Sequence, residues 1–461
     1  MRQNIFKTMS LILMLTVILS SCEKWIDTDI NINPNNPGDV TVDLLLPATQ
    51  GALAYTYGGD LTRYQAMWMQ HLSGVERQSF ALERYSHIDS DINNLWNTLY
   101  GGALINLKVM VEKAEETGAR HYMGMGKVLK AFALMNISSV WGDVPYSDAF
   151  KGTEGVLKAK YDSQQQIYET INTLLDEALV HFGEQNDPLA MVPGNSDLIY
   201  KGNMTKWEKA ARSLKVRAAL HLSKRNGLGP VRDLINAGGL ISDASEDFQF
   251  NFGAPANENN PVFQFQDQRG DIRVGKRIAD MLIATEDPRT PEIMALNEEG
   301  EYIGSGPGEA LTTASLIGPG YASVNSPVFF LTYFEVKFME AEAFYGVDDN
   351  KAATAYNDAV KASLAKHDVS DEDWEASNAS EDAGSITLQK IMEGKYVAMF
   401  HSLETWTDWR RTGFPTLQLP ENSVYPQTLR RFLYPLDENL YNTENVPAHT
   451  PTSRVWWDDG K

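Results

Sequence analysis

Apolar residues recur along most of this chain at helical spacing, and where that spacing fails the chain changes character. From Ile92, the positions Leu95, Trp96, Leu99, Ala103, Leu104, Leu107 and Met110 or Val111 fall three or four residues apart, up to Gly118. A partner stripe follows over 119–140, with Tyr122, Met125, Leu129, Phe132 and Ala133 on one side. Gly142 and Pro145 stop it. Ser163, followed three residues later by Gln166, has the pattern of a capping box. It opens the stripe Ile167, Ile171, Leu174, Leu175, Ala178 and Phe182, which Trp207, Ala210, Ala211, Leu214 and Ala218 answer further on. The spacing returns over Leu331–Phe344, with a partner over 352–364, and again over 386–403, continuing toward Arg411. Two earlier helices are predicted over 43–58 and 65–72, then a polar loop over 73–89. Helix pairs near 92–140, 163–226 and 329–364 predict an all-α chain built as a tetratricopeptide-like array.

Near residues 245–328 the helical spacing fails. Gly, Pro, Asn and aromatic residues replace it, and only 278–284 reads as a short helix. A structureless stretch of this length is usually functional or disordered. Its many aromatics, among them Phe248, Phe250, Phe263, Phe265 and Tyr321, argue against disorder. The acidic segment 368–382 reads as an exposed loop, and 413–461 as Pro-rich and irregular.

The N-terminus carries a different pattern. Arg2 and Lys7 precede the apolar run 9–19 and then Ser20-Ser21-Cys22, the layout of a secretory signal. The run falls short of the roughly 20 apolar residues a membrane-spanning helix needs. Leu19-Ser20-Ser21-Cys22 resembles a bacterial lipobox, in which the cysteine is lipidated and becomes the new N-terminus. Cys22 is also the single cysteine of the 461 residues. The expectation is a signal over 1–21, a lipidated tether over 22–42 and a single domain over 43–461. Several acyl chains together would give stable anchoring.

Charge and chemistry narrow the function. A formal net charge of −21 disfavours nucleic acid and anionic lipid as partners, since both need cationic surface. With Cys22 lipidated, no disulfide could form. The eight histidines are scattered without an H-E-x-x-H or a Cys/His cluster, so no metal or other cofactor is expected. No G-x-S-x-G elbow appears, and Gly304-Ser-Gly306-Pro-Gly308 lacks the Lys-Ser/Thr ending of a phosphate loop. No catalytic constellation emerges.

Binding is the positive expectation. Sugars offer apolar C–H faces and vicinal hydroxyls, so a binder needs exposed rings together with planar amide, carboxylate or guanidinium groups. The candidates sit in or beside loops: Trp68, Arg77 and Tyr85 around the 73–89 segment, Phe263, Gln264, Gln266 and Arg269 in the irregular lobe, and Tyr321 and Asn325 beyond them. Trp68 also falls on a helical stripe, where it reads equally as core.

Five stretches, in order, resemble the SusD/RagB family of outer-membrane lipoproteins. They are Asn33-Pro34-Asn35-Asn36-Pro37 after the cysteine, Lys130 through Trp141-Gly142-Asp143-Val144-Pro145-Tyr146, Asp287-Pro288-Arg289, Leu331 through Ala343, and Ile391 through Trp406, Asp408, Arg410 and Arg411. Phe334 stands where that family usually has alanine. The resemblance implies a helix-pair scaffold under a loop-rich lobe. It also implies an outer-membrane, outward-facing lipoprotein that binds oligosaccharide and passes it to a TonB-dependent, SusC-like transporter. Two rivals stay open at this point: a surface-anchored all-α polysaccharide hydrolase or lyase, and an adaptor that binds protein alone.

Overall fold

The computed structural model describes residues 40–459. The signal, Cys22 and most of the tether lie outside them. Helix α1 (Val42–Thr56) runs through a π-helical turn, Tyr57–Leu61, into α2 (Thr62–Trp68). Strand β1 (Leu72–Gly74) and helix α3 (Arg77–Glu83) follow. Helix α4 (Asn93–Asn97) passes through a second π-helical turn, Thr98–Leu104, into α5 (Ile105–Glu116). Then come α6 (Arg120–Trp141), the ribbon of β2 (Val144–Pro145) with β3 (Tyr161–Asp162), α7 (Gln164–Gly183) and α8 (Met204–His221).

These helices pack as antiparallel neighbours, α5 on α6, α6 on α7 and α7 on α8. Glycine makes the closeness possible. A Cβ at Gly124 would lie 2.5 Å from the Phe182 ring of α7, and one at Gly126 would lie 2.6 Å from Val111 of α5. The pair Gly124-Met-Gly126 is thus a packing feature, and any side chain there would push two helices apart. The Ser163 box forms as the spacing predicts: Ser163 Oγ accepts from Gln166 N–H at 3.3 Å, and Gln166 Oε1 accepts from Ser163 N–H at 3.0 Å.

The lobe begins at strand β4 (Phe248–Phe250). It contains α9 (Pro261–Gln268), β5 (Ile272–Val274) and α10 (Lys276–Ala284), and closes at β6 (Val328–Leu331). Strands β4 and β6 pair antiparallel and pin its two ends together. Strand β5 pairs with β1, which ties its middle to the N-terminal helices. After it come α11 (Tyr333–Phe344), its antiparallel partner α12 (Asp349–Lys366), α13 (Glu372–Asn378), α14 (Leu388–Ala398) and α15 (Glu404–Thr412).

Three segments expected as loops hold helices. Segment 73–89 contains α3, the lobe contains α9, and 368–382 contains α13. For α9 and α13 a local cap explains the result. Asn260 Oδ1 accepts from Val262 N–H and Phe263 N–H, with Pro261 at the first helical position. Asp371 Oδ1 accepts from Trp374 N–H at 2.9 Å.

Charged side chains, not only apolar ones, fill the space between α8, α11, α14 and α15. Arg217 donates to both Glu335 oxygens at 2.8 and 2.6 Å, and His221 Nε2 lies 2.7 Å from Glu404. Arg411 bridges Glu342 at 2.6 Å and Asp408 at 2.5 Å, while Lys395 holds the other Asp408 oxygen at 2.7 Å. Glu335 and Glu342, seven residues apart on α11, share one face. All of these side chains are buried. Such pairs fix which helix meets which, and removing one partner strands a charge in the core.

Candidate functional site

A cleft of about 300 Å³ opens between the two π-helical turns and α9. The first turn leaves helical geometry at Gly59 (φ −100°, ψ −118°). A Cβ at Gly58 would lie 2.3 Å from Val328 and 3.3 Å from Pro261, so glycine lets β6 and the start of α9 close against the turn. π-helical turns insert a residue into a helix and often occur at functional sites.

From the first turn and its flanks the cleft receives Tyr55, Asp60 and Arg63, and from the second Asn94 and Thr98. Helix α9 and its C-terminal end supply Gln264, Phe265, Gln268 and Arg269. Tyr55 is 48% exposed, and its hydroxyl donates to Gln264 Oε1 at 3.1 Å. The Gln264 amide in turn donates to Asn259 O at 2.8 Å, which fixes its plane. The Arg63 guanidinium lies 3.7 Å from the Phe265 ring centre, and Arg269 lies 5.6 Å from it on this half-buried ring. Arg63 also pairs with Asp60 at 2.6 Å.

Aromatic edges alternating with planar amide and guanidinium groups suit a ligand with apolar faces and paired hydroxyls. Asp60 is the one acid among the lining residues. Glycoside hydrolysis by two facing carboxylates is therefore not assembled in this cleft.

The residues predicted from sequence are distributed unevenly around it. Gln264 and Arg269 line the cleft, and Arg77 reaches its rim by donating to Arg269 O at 3.2 Å. Phe263 is half-buried on the same helix as Gln264. Gln266 is bound at both ends of its amide to the backbone of Ile317. Trp68 and Tyr85, by contrast, are core residues, each 1% exposed. Trp68 Nε1 donates to Leu82 O at 3.1 Å, and its ring packs among Tyr85, His87, Trp406 and Phe432. Neither ring offers a face to a sugar, because both are consumed in packing helix against helix. Tyr321 is also buried, packed on Phe400 beside a hollow of about 40 Å³, room for water but not for a sugar ring. Asn325 is exposed and does not line the main cleft.

Sequence reasoning missed Tyr55, Asn94 and Thr98, which sit in stretches that read as ordinary helix, and Asp60 and Arg63, which fall between the two helices predicted over 43–58 and 65–72. Two signals pointed there: Gly58-Gly59, where the structure runs on helically past the predicted helix end, and the Asn260-Pro261 cap that announces α9.

Among the described residues no helix is long and apolar enough to cross a membrane, and no cluster of His, Cys, Asp and Glu could hold a metal ion.

Stacked helix pairs, with a ligand-sized cleft between the two π-helical turns and α9, define the class as an all-α protein of SusD-like architecture. The chain belongs to the SusD-like family, described as starch-binding and associating with the outer membrane, whose sequence profile matches residues 34–435. Solved structures agree on the fold. A SusD/RagB family protein from Bacteroides thetaiotaomicron is 24% identical with a TM-score of 0.76, over 92% of this chain and 100% of that one. A chitin-binding protein is 23% identical with a TM-score of 0.76, over 91% of this chain and 100% of that one. A chitin-binding SusD homolog from Flavobacterium johnsoniae is 20% identical with a TM-score of 0.74, over 90% of this chain and 98% of that one. Comparison with curated proteins returns no match.

Proposed function

We propose that this protein captures oligosaccharide at the cleft between the two π-helical turns and α9, without cleaving it, and delivers it to a TonB-dependent, SusC-like outer-membrane transporter. The observation that carries this reading is the cleft itself, where the half-exposed Tyr55 ring stands beside the oriented Gln264 amide and the Arg63–Phe265 stack. Membership of a family described as starch-binding and associating with the outer membrane supports it. Chitin binding by two proteins of the same fold adds β-linked amino sugars to the ligands worth testing.

Titration calorimetry with malto- and chito-oligosaccharides tests the capture step. Saturable binding that Tyr55→Ala weakens is the expected result, and silence across both series would remove the saccharide reading. Delivery is tested by co-purification with a large β-barrel from outer membranes. In this reading Cys22 carries the lipid that holds the protein at the outer face of the membrane, and residues 43–461 act as one domain. A Cys22→Ser chain should then leave the membrane fraction, and its retention there would count against the anchor.

A further inference from the structure

The chain carries a net charge of −21, yet one cleft of about 450 Å³ is lined by five cations and by no acid. Lys224 follows α8, Arg410 and Arg411 close α15, and Arg430 and Arg454 come from the C-terminal segment. This cleft shares no lining residue with the one described above.

Among the described residues the positive charge is not cancelled. Arg411 is neutralised by Glu342 and Asp408. Arg410 meets no carboxylate: its N–H groups go to the Ser139 and Arg430 carbonyls at 2.7 and 2.9 Å and to the hydroxyls of Ser139 and Thr407. Lys224, Arg430 and Arg454 all draw on one carboxylate, Asp458, at 3.1, 2.6 and 3.4 Å. Asp458 is completely buried, beneath the lining and not in it.

Four cations therefore face one acid. The C-terminal dipole of α15 offsets about half a charge more, and Arg410 O accepts from both Lys224 and Arg430. More than two positive charges remain in a concave site walled by Trp409, whose ring Arg430 covers at 4.8 Å. Low-dielectric walls focus that potential into the opening. Exposure is graded in the same sense, from buried Arg410 and Arg411 to the Arg454 side chain, 49% exposed at the rim.

We propose that this cleft is a second binding site, selective for an oxyanion: a carboxylate, sulfate or phosphate group of a small ligand. Guanidinium forks match the two oxygens of such a group, and Thr416 lies on the same wall. Two sources carry this chemistry, a free inorganic oxyanion and an acidic sugar.

Titration calorimetry of the purified protein with sodium sulfate and with sodium glucuronate, at an ionic strength held constant with chloride, tests the proposal. Saturable binding of at least one, weakened about tenfold by Arg454→Gln, is the expected result. Tighter binding of glucuronate assigns the acidic sugar, and binding of sulfate alone assigns the inorganic anion; each upholds the site. Absence of saturation with both anions overturns it, as does binding unchanged in Arg454→Gln and in Lys224→Gln. Arg454 is half-exposed, so its variant should melt as the parent does. Neutral oligosaccharide binding should be unchanged in both variants, which separates failure here from failure of the reading given under Proposed function.

Discussion

Arg217–Glu335 and Arg63–Asp60 are both guanidinium–carboxylate pairs with closest N···O distances of 2.6 Å. In the first the side chains are 1% and 3% exposed, in the second 11% and 45%. The core pair is used up, since both Glu335 oxygens accept from Arg217. The cleft pair leaves Asp60 open to solvent and lays Arg63 over Phe265. Identical chemistry thus serves architecture in one place and is available to a ligand in the other. Environment decides which.

Removing one partner from each pair gives the sharpest contrast. Glu335→Ala takes both of its hydrogen-bonded carboxylate oxygens from buried Arg217, leaving only Glu404 at 4.0 Å, and should cost about 3–5 kcal/mol in chemical denaturation. A loss as small as that of a surface change would erase the distinction between the two regions.

Acid should act on the scaffold and spare the cleft. Burial lowers the pKa of His71 to about 3 and that of His87 to about 4. In the unfolded chain these imidazoles take up protons near pH 6.5, whereas in the folded chain they stay neutral. Their contribution is therefore fully present above pH 6.5 and is lost as pH falls toward 4. At pH 5 each should have cost about 2 kcal/mol, read as a lower denaturation midpoint. No histidine lines the cleft. Oligosaccharide affinity measured at pH 6 and pH 8 should agree, and a marked difference would show that the two regions are coupled.

Tyr55→Ala should weaken oligosaccharide binding about tenfold, close to 1.4 kcal/mol, with little change in melting temperature. The smallest effect belongs to Asp60→Ala, expected to change stability by less than about 1 kcal/mol because the pair is partly solvated. A larger loss would move Asp60 into the architectural class.

Much of the fold was legible because local spacing encodes local structure. The family-like segments led to the family that the profile shows, and the stripes through 92–140 and 163–226 and the Ser163 box read correctly from residues close together in sequence. The π-helical turns did not, since Thr98–Leu104 keeps the same apolar spacing as the helices on either side. Nor did the fate of Trp68. A ring on a helical stripe near a polar loop fits core and platform alike, and only the packing of Trp406 and Phe432 against it decides.

The chain by itself determined most of its long helices and the Ser163 cap, because each depends on neighbours within a turn or two. Only the tertiary structure decided where a ligand could sit. Tyr55 and Gln264 are 209 positions apart, and the five cations of the second cleft are spread from Lys224 to Arg454. Sites of this kind arise when distant backbones converge, and no local pattern of side chains records which of them will meet.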